Sequence, residues 1–138
     1  MKKHYKINMK YIITESRLDQ VVTEYLNEIF PLDNVNYLNP IEYNHDTREE
    51  YEDENRVEFY LGEEYEDGET TIFKWYDCKY FYPDSPAQNI CPKVVVEHPY
   101  DDRLIAYFSD KWEEPFKKWF TENFNLPVKT VEWKRMMF

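Results

Sequence analysis

The sequence predicts an α+β fold, with two amphipathic helices packed on a mainly antiparallel sheet of about four to six strands. Three observations predict it. Residues 18–29 carry apolar side chains at helical spacing, and residues 112–124 repeat that spacing with aromatic rings. The stretch between them is cut by Pro, Asn and Asp-Gly into short runs rich in β-branched and aromatic residues. The expected organisation is a flexible basic tail over residues 1–10 and a single α+β domain over 11–138.

In the first helix Leu18, Val21, Val22, Tyr25, Leu26 and Ile29 form the buried stripe, and Asp19, Gln20, Glu24 and Glu28 face outward. Thr14 is placed to cap it, Glu15 sits at the positive end of its dipole, and Pro31 stops it. Val35–Leu38 reads as a short strand. Residues 46–55 read as a solvated loop or a short irregular helix, and Arg56–Leu61 as a half-buried strand with Val57, Phe59 and Leu61 inward. Asp67-Gly68 is a tight-turn signal, joining a strand that ends near Tyr65 to one over Thr70–Tyr82. Lys93–Glu97 reads as a buried strand, and Arg103–Phe108 as its antiparallel return after the turn-forming Pro99-Tyr100-Asp101-Asp102. A second helix opens at Asp110 or Glu114, tolerates Pro115 in its first turn, and turns Trp112, Phe116, Trp119, Phe120 and Phe124 to the sheet. Val128–Trp133 closes the chain as a strand.

The opening KYIITESRL with VVTEYLNEIF resembles the first helix of small uncharacterised proteins of tailed bacteriophages, marine ones in particular, and FKKWFTENFNLPVKTVEW is similar to their closing helix and strand. The resemblance covers about a third of the chain. It implies a phage source and brings no catalytic residues with it.

Charge is the most informative functional feature. Residues 42–69 hold 13 acidic residues against Arg48 and Arg56, a net of −11; the other 110 residues hold 15 of each sign. The whole net charge of the chain therefore sits in 28 consecutive residues, which disfavours direct nucleic-acid binding because phosphate is repelled. Basic residues gather near the two ends, at Lys2, Lys3, Lys6 and Lys10 and at Lys117, Lys118, Lys129, Lys134 and Arg135. No run of about 18 apolar residues exists to span a membrane, and the N-terminus lacks the apolar core of a secretion signal. Without such a signal, Cys78 and Cys91 read as two reduced thiols.

No chemistry is specified. Ser16, Ser85 and Ser109 lack a nucleophile context; His45-Asp46 and Cys91 with His98 do not make a recurring ligand set, and Asp101-Asp102 is the kind of carboxylate pair an acidic chain yields by chance. Only two glycines leave no phosphate-cradling loop. The expectation is a non-enzymatic protein without catalytic residues, metal or cofactor, located in the host cytoplasm or virion and not secreted. Its acidic residues Glu49, Glu50, Glu52, Asp53, Glu54, Glu58, Glu63, Glu64, Glu66 and Asp67 form an interaction face for a protein partner with a basic surface. The first role expected is a protein-interaction or structural, virion-associated component. The alternative is a DNA mimic that inhibits a host DNA-binding or defence protein, which requires strand and loop carboxylates on one face.

Overall fold

Helical spacing in the first third of the chain produces a helix whose Leu18, Val22 and Leu26 are buried with Phe30 just beyond it. The computed structural model describes residues 4–6, 12–66, 70–77 and 90–133. In chain order, β1 (His4–Lys6) and β2 (Ile12–Thr14) pair antiparallel and lead into α1 (Glu15–Ile29). Residues 4–6, part of the expected basic tail, are thus a strand.

After a short 3₁₀ turn at Leu32–Asn34 come β3 (Val35–Leu38), β4 (Ile41–Asn44), β5 (Glu49–Glu52), β6 (Arg56–Leu61), β7 (Thr71–Tyr76) and β8 (Lys93–Val96). The chain ends in α2 (Tyr100–Phe108), α3 (Glu113–Phe124) and β9 (Thr130–Trp133). The main sheet runs β3-β6-β7-β8-β9, antiparallel except for the parallel β8–β9 pair, and β4–β5 form a separate two-stranded ribbon. The fold is α+β, with helices packed against this five-stranded sheet.

One face of the sheet presents Val57, Phe59, Phe73, Trp75, Val94, Val96, Val131 and Trp133 to the helices. From α3 the predicted stripe delivers Trp112, Phe116, Trp119 and Phe120 into the same core. Rings meet edge-on, Phe73 with Phe116 at 5.6 Å and Phe59 with Phe120 at 5.3 Å, the offset geometry that adds about 0.5–1.5 kcal/mol per pair beyond burial. The Trp119 indole N–H donates to Asn27 Oδ1 at 2.8 Å, tying α3 to α1, and that of Trp75 donates to the Pro127 carbonyl at 2.9 Å. Asn125 ends α3 in the left-handed conformation, its N–H donating to the Thr121 carbonyl.

Three expectations are corrected. Arg103–Phe108 is helix: Leu104 and Phe108 are buried one turn apart, and Asp101 and Asp102 occupy the positive end of α2. Among the described residues three α-helices therefore stand where two were expected. Residues 46–55 hold a turn and β5, a strand whose pairing with β4 needs no buried face. Cys91 is disulfide-bonded, so the reduced reading fails there; Cys78 lies outside the described residues.

The strand read over Arg56–Leu61 is β6 with the same bounds, so it stops short of the strand end expected near Tyr65, and β7 ends at Tyr76. The chain leaves β6 through Gly62, whose φ of 92° suits a residue without a Cβ. The Asp67-Gly68 turn, and the strand expected beyond residue 77, fall outside the described residues.

Candidate functional site

The acidic segment begins as an arm. The two chain runs that pair as β3 and β6 continue outward as β4 and β5, linked at the junction by Asp53 N–H donating to the Pro40 carbonyl at 2.9 Å. Asn39 Nδ2 donates to the Asp53 and Arg56 carbonyls across the same junction. At the tip, Asn44 Oδ1 accepts from the N–H groups of Asp46 and Thr47, and Arg48 closes the turn at φ 59° with its N–H on the Asn44 carbonyl at 2.7 Å. An Asn before a tight turn supplies this brace from its own side chain.

Of the eight strand residues in the arm only Glu42 is part-buried. The register puts Ile41 opposite Glu52 and Tyr43 opposite Glu50, with Glu42–Tyr51 and Asn44–Glu49 on the reverse side. Each side thus carries carboxylates beside exposed apolar surface: Ile41 (58% exposed) and Tyr43 on one, Tyr51 on the other. At the arm's base lies an apolar groove of about 260 Å³ between β3, β6 and the end of α3, lined by Tyr37, Val57, Phe59, Phe124 and Leu126 among others. Tyr37 stands 68% exposed at its edge.

The structure does not bring the ten expected site residues together. Glu49, Glu50, Glu52 and Glu54 are exposed on or beside the arm, and half-buried Asp53 accepts the Asn55 N–H in a turn. Glu63, Glu64 and Glu66 are exposed at the other end of β6, about 20 Å away by strand length, and Asp67 is outside the described residues. Glu58 leaves the set, which is a correction: it is buried, 3.2 Å from Arg56, and accepts a hydrogen bond from the Tyr65 hydroxyl. Alternation correctly placed it on the sheet's outer side, but Arg56 and Tyr65 cover it there.

That outer side is charge-balanced. Arg56 bridges Glu42 at 2.6 Å and Glu58, Lys74 reaches Glu97 at 3.7 Å, and Lys93 reaches Glu132 at 3.3 Å. The Tyr76 ring lies under both Arg56 and Lys93, at 5.7 and 5.6 Å, and burial pushes its hydroxyl pKa up. Elsewhere, Asp19, Asp110, Glu113 and Glu114, together with Lys111, line a second cavity between α1 and the start of α3. Burial, then the Asp110 charge, raises the Glu113 carboxyl above its ordinary range.

One cluster escaped sequence reasoning. His98 Nδ1 lies 3.3 Å from both Asp101 Oδ1 and Asp102 Oδ2, where the chain turns from β8 into α2. The readable signal was a histidine three and four residues ahead of two acids at a helix start, a spacing that gathers all three on one turn.

Among the described residues no helix is long and apolar enough to cross a membrane. Comparison with protein families, curated proteins and solved structures found no match to this chain.

Proposed function

We propose that this chain is a non-enzymatic protein-interaction or structural component, of the phage-encoded and virion-associated kind, that docks its β4–β5 arm on a basic protein surface. The observation that carries the reading is the arm itself. It is a ribbon exposed on both sides, where Glu49, Glu50 and Glu52 alternate with Tyr43, Tyr51 and Ile41. Carboxylates steer an oppositely charged partner and set orientation, while tyrosines supply contact area at low entropic cost. The groove beside Tyr37 offers a seat for an apolar side chain of that partner.

A photo-crosslinking residue in place of Tyr43 captures the partner inside the host, and affinity is then measured on the two purified proteins. The expected result is a basic partner, copurification with virions, and binding weakened about tenfold or more by E49K/E50K/E52K and by added salt. Unchanged affinity after the triple reversal overturns the reading. The DNA-mimic alternative is the outcome in which the captured protein binds DNA and duplex DNA displaces this chain from it. The carboxylates' division between two sides of the arm and two ends of β6 gives that outcome less support.

A further inference from the structure

We infer that His98, Asp101 and Asp102 form a binding site for a divalent transition metal, with zinc the best fit. The three ligand atoms lie within 4.8 Å of one another, and the two distances from His98 Nδ1 are both 3.3 Å. A tetrahedral ion with ligands at about 2.1 Å has edges of about 3.4 Å, whereas an octahedral magnesium shell at the same radius has edges of about 3.0 Å. One imidazole with two carboxylates is a donor set for zinc, and three protein ligands leave the fourth position to water. Exposure of the His98 and Asp102 side chains, 53% and 41%, gives an ion its route in.

An independent observation points to a cation. Asp101 is 1% exposed; its Oδ1 faces His98 and accepts the Asp102 N–H at 2.7 Å, and among the described residues its Oδ2 has no hydrogen-bond partner. A carboxylate so withdrawn from water calls for positive charge beside it, and a metal on the His98 side supplies that. The ion then clips the end of β8 to the first turn of α2, a structural role separate from docking by the arm.

The test uses the full chain, stripped with chelator and titrated with Zn²⁺, Mn²⁺ and Mg²⁺ by calorimetry, with Co²⁺ absorption as the geometric readout. Zn²⁺ is expected to bind one per chain and to raise Tm, and Co²⁺ to give the intense visible band of tetrahedral coordination. H98Q and D102N change exposed groups, so both fold, and each weakens Zn²⁺ about tenfold or more. D101N abolishes binding, and E49Q/E50Q/E52Q leaves it unchanged. Absence of saturable Zn²⁺ binding overturns the inference. So does binding that H98Q leaves intact or that neutralising the arm removes, since loose attraction to the acidic segment then explains it.

Discussion

The outer side of the five-stranded sheet and the β4–β5 arm are joined through β3 and β6, yet they handle charge in opposite ways. On the sheet, Arg56, Lys74 and Lys93 each meet a carboxylate and Tyr76 is held between two cations. On the arm, Glu49, Glu50 and Glu52 are exposed along one strand. Paired strands inside a sheet have cross-strand neighbours on which cations and anions can alternate. A ribbon wet on both sides is free of that constraint, and here it concentrates one sign. The sheet's charges thus serve the fold, while Glu49, Glu50 and Glu52 of the arm are left exposed to solvent.

The sharpest way to break this contrast is Glu58→Ala. The carboxylate is buried against Arg56 and Tyr65, so its loss removes the buried one of the two carboxylates on Arg56 together with the acceptor of the Tyr65 hydroxyl, and costs about 2 kcal/mol in urea unfolding. A loss below about 1 kcal/mol would put Glu58 back with the dispensable surface charges. Next in size, Lys93 and Glu132 are mostly covered, and a double-mutant cycle to alanine is expected to return a coupling of about 0.5–1 kcal/mol.

On the arm, E49Q/E50Q/E52Q changes stability by no more than about 0.5 kcal/mol, and in low salt the variant is the more stable because like charges no longer repel. A large loss in that variant would make the arm's charges structural and erase the comparison. The smallest effect concerns Glu113. Its carboxyl pKa is raised in the fold, so the folded state binds the extra proton and stability falls as pH rises through the window just above 4.5. Glu113→Gln is therefore more stable than the parent by a few tenths of a kcal/mol at pH 7, with the gap closing as pH drops to 4; thermal melts along a pH series read it.

Long periodic elements were legible in the letters. The stripe from Leu18 to Ile29 and the ring stripe from Trp112 to Phe124 each span three turns, enough for the period to declare itself, and both are core helices. RLIAYF was misread because six mostly apolar residues fit a strand as well as a helix, and the deciding contact, Leu104 and Phe108 in the core, is tertiary. The arm was missed for the opposite reason. With no buried side it shows no alternation, and its pairing is written in the Asn44 turn. The position of the net charge was readable, but its division between the two ends of β6 was not, because sequence proximity says nothing of strand direction. The cysteine reading rested on compartment and could not see proximity, and His98 looked isolated because its partners sit one helical turn ahead.

Because β3 and β6 run on into β4 and β5, the tip is continuous with the edge strand of the main sheet and with the strand beside it. Tension applied there travels along β6 and loads its bonds to β7 side by side, in shear, so that they must yield together. A ribbon built this way resists being pulled away from the sheet along its own axis.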